Sequence, residues 1–205
     1  MGLTIPVILN SVNNLSDARY AAGMGVDFMG FEIEAGVDRY VSPDLFKAIT
    51  AWLSGIQTVA SVSILNPSTL AFIQEHYQPD FIQFEFVDGI SQSDLSEIAC
   101  IQKITFPVGN EANVLVQIKQ QMYDEANFIL LELSDWTEWR NNKEIISQVN
   151  SHHANLWALP IEKEDVALIQ SMDLKGIALK GEDEQRPGWK DLDKLIDILE
   201  ALEEN

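Results

Sequence analysis

Four glutamates, Glu32, Glu34, Glu85 and Glu132, and two lysines, Lys103 and Lys180, lie in or at the ends of short β-branched and aromatic runs. Paired carboxylates can move protons to and from a bound substrate, and an ammonium among them can steady developing negative charge. A lysine stripped of water can instead lose its proton and attack a carbonyl, so Lys103 or Lys180 could also serve as a Schiff-base nucleophile. Asn10, Ser61, Ser63, Gln83, Thr105 and Trp157 hold matching places in the other runs and add neutral donors, acceptors and one ring. The glutamates could in principle hold Mg²⁺, yet no further ligand motif accompanies them, and no metal or cofactor is expected.

Other reactive residue types fall elsewhere. His76, His152 and His153 sit at the ends of helical stretches just before a strand, and Cys100 directly precedes the fifth strand candidate. In a chain that alternates strand and helix this is the face opposite the strand ends, where conservation of structure rather than chemistry is at stake. Imidazole acid–base chemistry, a Cys–His pair and a His-ligated metal are therefore set aside, and Cys100 reads as a small buried hydrophobe.

The elements that position these residues repeat eight times. Strand candidates run from Ile5 to Asn10, Val26 to Ile33, Thr58 to Ile64, Asp80 to Phe86, Ile101 to Phe106, Asn127 to Leu133, Asn155 to Leu159 and Gly176 to Lys180. Helical spacing fills the intervals. Asn14, Ser42 and Asn66 are N-cap residues, the last two followed by Pro at the first helical position. The final helix, Asp191 to Leu202, places Leu192, Leu195, Ile196, Leu199 and Leu202 on one face. Eight such units in 205 residues fit a single-domain (β/α)8 TIM barrel over residues 1–205, whose site must lie at the C-terminal ends of the strands. An open doubly wound sheet would carry a Gly-rich turn after its first strand, and the segment Asn10-Ser11-Val12-Asn13-Asn14 has no glycine.

Composition narrows the ligands. Thirteen Lys and Arg against 32 Asp and Glu give a formal charge of −19, which repels nucleic-acid backbones and anionic membranes, so neither is an expected partner. No apolar run is long enough to span a bilayer, and the first residues lack the pattern of a signal peptide. A cytoplasmic location is expected, with one cysteine excluding an internal disulfide.

Two segments carry a resemblance. Ile8-Leu9-Asn10-Ser11-Val12-Asn13-Asn14-Leu15-Ser16-Asp17-Ala18 resembles the first strand, loop and helix start of the phosphoribosylanthranilate isomerase family of tryptophan biosynthesis. Gly23 to Phe31, followed by Asp38-Arg39-Tyr40-Val41-Ser42-Pro43, resembles that family's second strand and its Ser-Pro-Arg-Tyr-Val-Ser-Pro loop. Asp80-Phe81-Ile82-Gln83, Lys103 and Pro187-Gly188-Trp189-Lys190-Asp191 continue the match in order along the chain. The resemblance implies an Amadori rearrangement of a phosphoribosyl amine, in which an acid helps to open the sugar ring and a base removes the C2 proton.

The family's base is a cysteine at the end of strand one and its acid an aspartate at the end of strand six. Those positions read Asn10 and Glu132. An amide is no base near neutral pH, so Glu32 and Glu85 become the candidates for that role, with Glu132 as the acid one methylene longer than usual. The resemblance further implies a substrate set of Arg39, Gln83, Glu85, Lys103, Lys180 and Gly181. It also implies a phosphate cradle from the turns after strands seven and eight. Here those turns read Trp157-Ala158-Leu159-Pro160 and Lys180-Gly181; Pro160 has no N–H to give, and Lys180 could supply a point charge instead. The loop Leu133 to Trp139 is shorter than the family's, with tryptophans expected to pack on helix six, the alternative being that they cap a ring. Four glutamates oppose an anionic substrate and Arg39, Lys103 and Lys180 favour it, at about 4 kcal/mol per pair of charges ~4 Å apart in an effective dielectric of ~20. The expected ligand is a small phosphorylated molecule bound by a monomer or homodimer. The alternative is a barrel that keeps the scaffold, has lost the reaction, and binds another small ligand or a partner.

Overall fold

Each of the eight runs forms a parallel strand: β1 (Val7–Asn10), β2 (Phe28–Glu32), β3 (Gln57–Ser61), β4 (Phe81–Phe84), β5 (Cys100–Phe106), β6 (Phe128–Leu133), β7 (Asn155–Ala158) and β8 (Ile177–Lys180). They close into a barrel in which every strand pairs with its sequence neighbours and β1 pairs with β8. This is the (β/α)8 architecture expected from the periodicity. The computed structural model describes residues 2–106, 114–134, 137, 143–151, 155–172, 174–181, 184–186, 189–190 and 193–203. The calls on His152, His153, Trp136, Trp139 and Pro187-Gly188 lie outside these residues.

Helices α1 (Leu15–Gly23), α2 (Pro43–Thr50), α3 (Pro67–His76), α4 (Gln92–Leu95), α5 (Val114–Gln121), α6 (Lys143–Asn150), α7 (Val166–Gln170) and α8 (Asp193–Leu202) follow the strands in turn. The caps act as their residue types require. Asn14 accepts the Asp17 N–H, Ser42 the Leu45 N–H and Asn66 the Thr69 N–H. No helix among the described residues is long and apolar enough to cross a membrane.

The third and fourth runs are shorter than expected. β3 ends at Ser61 and β4 at Phe84, and the two-residue strands Ile64–Leu65 and Phe86–Val87 pair with each other beyond the barrel rim. Alternation of side chains continues through both, so the sequence could not show the break.

A repeated device pins the opposite face. Asp27, just before β2, accepts the N–H of Val7 at the start of β1 at 2.8 Å. Asp80, before β4, accepts the Thr58 N–H and hydroxyl, and Asn127, before β6, accepts the Cys100 N–H at 2.7 Å. Each fixes the register of two neighbouring strands. Above this face the barrel interior is filled by Phe28, edge to face with both Phe81 and Phe128, which are tilted against each other, all centroids 5.7–5.8 Å apart, and then by Ile8, Val59, Ile101 and Leu156. A second, larger core lies between the strands and the helices, centred on residues such as Met29, Phe31, Phe84 and Trp157.

Candidate active site

Inward-facing positions alternate along each strand, and adjacent strands contribute in alternate layers. Above the apolar plug this places Asn10, Ser61, Lys103 and Ala158 from the odd strands, capped by Glu32, Glu85, Glu132 and Lys180 from the even ones. The polar residues singled out in the sequence thus converge at one end of the barrel. Trp157 does not join them. It is 1% exposed, points outward, and its indole N–H donates to Asn150 on α6. The inward residue of β7 is Ala158, because the phase of that strand places Leu156 inside.

Lys103 is the hub of the cluster. Its Nζ lies 3.1 Å from Glu85 Oε1 and 3.3 Å from Glu132 Oε2, and the Thr105 hydroxyl donates to that same Glu132 oxygen at 3.0 Å. Burial alone would lower the Lys103 ammonium; the Glu132 and Glu85 carboxylates outweigh burial, and it is raised above its ordinary value. Two carboxylates within ion-pair distance favour the ammonium form of Lys103 and suit it to act as a fixed positive charge.

Glu32 is different. It is half-buried, and its Oε1 accepts the Ser11 hydroxyl at 3.3 Å. Burial raises its carboxyl above the usual range and Glu34 adds to this, against the opposing pull of the Ser11 hydrogen bond, Lys103 and Lys180. A carboxyl shifted upward by desolvation is the form a general base takes when it must work near neutral pH. Ser11 was not singled out in the sequence; nothing about a serine after the first strand signals that it will hold a carboxylate of the second.

Asn10 sits beside this pair. Gly30 of β2 lies against its side chain so closely that a Cβ at residue 30 would run into the Asn10 amide oxygen. Asn10 Oδ1 and, in the layer below the rim, Gln83 Oε1 are buried without a hydrogen-bond partner among the described residues. An orphaned buried acceptor costs about 1–3 kcal/mol.

Arg39 and Gly181 are placed together, on each other. Arg39 Nη1 donates to the Gly181 carbonyl at 2.6 Å and to the Ser11 carbonyl at 3.3 Å, while the Gly181 N–H donates to the Asn10 carbonyl at 3.2 Å. One guanidinium thereby joins the loops after β1, β2 and β8. Ser11 and Arg39 both hold positive φ, 60° and 61°, a conformation that costs non-glycine residues on the order of 1–3 kcal/mol and concentrates at functional sites. The turn after β7 offers little more than that after β8, since Pro160 has no N–H and the Ile161 N–H donates to the Leu159 carbonyl. Lys180 and Lys194 line the cavity between these turns and α8, with Lys194 held by Glu162 at 2.7 Å.

On the opposite side of the sheet the structure agrees with the reading of Cys100, which is fully buried, with its thiol pushed up to about 11 by burial. His76 ends α3, away from the mouth.

Fold and site together define a (β/α)8 barrel with a carboxylate-rich, lysine-centred mouth. Among solved structures, it is similar over its length to phosphoribosylanthranilate isomerases. The Thermotoga maritima enzyme is 20% identical with a TM-score of 0.77, and covers 97% of this chain and 98% of its own. The Thermus thermophilus enzyme is 16% identical with a TM-score of 0.73, over the same shares. A phosphoribosylanthranilate isomerase in complex with reduced 1-(o-carboxyphenylamino)-1-deoxyribulose 5-phosphate is 20% identical with a TM-score of 0.74. No family model and no curated protein matches the sequence. At such identities the shared feature is the fold.

Proposed function

We propose that the chain is a divergent member of the phosphoribosylanthranilate isomerase family, and that its mouth isomerises a small sugar-derived amine by carboxylate acid–base chemistry. The observation that carries this reading is Glu32: a carboxyl raised by burial, oriented by Ser11, and beside the Asn10 position where the family has its base. In the reaction Glu132, protonated in place of its ion pair with Lys103, gives a proton to the ring oxygen as the C1–O bond opens and the nitrogen lone pair forms the C1=N bond. Glu32 then takes the C2 proton, the electron pair forms the C1–C2 double bond, and the C=N pair moves to nitrogen. Return of that proton from Glu32 to C1, while the C2 hydroxyl proton passes back to Glu132 and the C2=O bond forms, yields the aminoketose with both carboxyls restored and no net oxidant or reductant. Lys103 supplies the positive charge toward which the oxygen electrons move.

A second reading has its own support. The Gly181 N–H is donated to Asn10, the Gly181 carbonyl is closed by Arg39, and Pro160 lacks an N–H, so this phosphate cradle is poorer in amides than the family pattern implies. A barrel that binds a small ligand without turning it over fits that observation. Turnover of phosphoribosylanthranilate by the folded protein, with rescue of a tryptophan auxotroph lacking the isomerase, separates the two. The first reading expects both, and a folded protein with neither supports the second.

A further inference from the structure

A cavity of about 600 Å³ opens on the outer side of the rim, between the loops after β2 and β3 and the first turns of α3. Its volume suits a small organic molecule. Ile33, Val62 and Ile73 form a buried floor, and Tyr40, Ile64 and Phe72 stand around it with 39%, 50% and 44% of their surface exposed. Phe72 is held in place: its ring packs on His76 at 4.6 Å and on Tyr77 at 6.0 Å. An apolar pocket with a preset aromatic wall binds without first having to order that wall.

The polar groups of the lining decide the ligand's charge. Glu34 and Asp88 are the only ionisable lining side chains besides Tyr40, and no lysine or arginine lines the cavity among the described residues. Glu34 Oε2 accepts the Ser63 N–H at 2.9 Å, which leaves acceptor capacity on a carboxylate with about four lone-pair sites. The N-terminus of α3 also faces this space and favours anions, but it amounts to about half an elementary charge. Moreover, Asn66 already accepts its Thr69 N–H and the Ser68 hydroxyl. Two full negative charges outweigh it, and the two aromatic rings add faces that attract a cation. A carboxylate or phosphate ligand would meet two like charges on a chain of net charge −19.

We propose that this cavity is a second binding site, distinct from the barrel mouth, for a small organic amine: an apolar or aromatic body on the Ile33, Val62 and Ile73 floor and against the Phe72 wall, with its ammonium toward the Glu34 and Asp88 carboxylates. The site stands independently of the isomerase reading. Its test is titration of the full-length protein with naphthylmethylamine and, in parallel, with naphthylacetate, followed by NMR. The amine is expected to bind at least tenfold more tightly than the acid. Phe72→Ala and Asp88→Asn, both at exposed positions where folding is not at risk, are each expected to weaken amine binding at least fivefold. Equal affinity for amine and acid, no binding of the amine at millimolar concentration, or affinity unchanged in both variants would overturn the proposal.

Discussion

The Ser11 hydroxyl, at the end of β1, donates to Glu32 Oε1, at the end of β2, across 3.3 Å. The contact ties the loop after β1 to a carboxyl of β2 that burial raises above its ordinary range. Ser11 can reach Glu32 because its backbone turns through positive φ and the Arg39 guanidinium holds its carbonyl.

Burial has a consequence for stability. Because Glu32 is raised above its ordinary 4.5, ionising it is harder in the folded chain than in the unfolded one. The stabilisation this gives the protonated form is fully present below the unfolded value and is lost as pH rises through the folded one. Glutamine carries no such cost. Glu32→Gln is therefore expected to melt above the parent at neutral pH, with the difference shrinking toward zero as pH falls below about 4. Melting temperatures across that range check the sign.

Lys103 holds two carboxylates apart. With its side chain 25% exposed and those of Glu85 and Glu132 at 37% and 42%, the cluster is screened by solvent but not fully. Lys103→Met is expected to cost about 1–2 kcal/mol at low salt, less as ionic strength rises, and to lower kcat by ~100-fold through loss of the fixed charge. Denaturant melts at two salt concentrations and steady-state kinetics read the two effects separately.

Arg39 is best understood as a clasp. Its two backbone carbonyl contacts join three loops, and a hydrogen bond from a charged donor contributes about 1.5–3 kcal/mol. Arg39→Ala is expected to lose about 1–3 kcal/mol of stability and to lower turnover. Arg39→Lys should recover stability only in part, because one ammonium cannot reproduce the planar fork. A direct role on substrate instead would raise KM with stability unchanged.

At the end of the barrel opposite the mouth, the Phe28, Phe81 and Phe128 rings pack against one another. Phe28, 7% exposed, is expected to cost about 3–5 kcal/mol on replacement by alanine, with the mouth chemistry intact in whatever fraction folds. Chemical denaturation gives the loss directly.

Much of this architecture was legible in the chain. Eight apolar runs alternating with capped helical stretches are read locally, and Asn14, Ser42 and Asn66 cap as their side chains dictate. Convergence of Asn10, Glu32, Gln83, Glu85, Lys103, Glu132 and Lys180 followed from barrel closure alone. What stayed hidden depends on phase and on long-range geometry. A four-residue strand such as Asn155–Ala158 does not reveal which of Trp157 and Ala158 faces inward. The last helix shows the same limit, burying Ile198 where Ile196 was expected and leaving Ile196 only partly covered. The pairing of Lys103 with both Glu85 and Glu132, the Ser11 contact and the Arg39 clasp join residues far apart in sequence, which no local pattern encodes.

The central claim is that Glu32 has taken over the base. Its most direct test is kcat/KM on phosphoribosylanthranilate for the parent and Glu32→Gln, measured side by side on folded protein. The parent is expected to turn over above the uncatalysed rate, and the variant to fall by at least ~100-fold in kcat with KM little changed. Equal rates for parent and variant, or a parent at the uncatalysed rate, would contradict it.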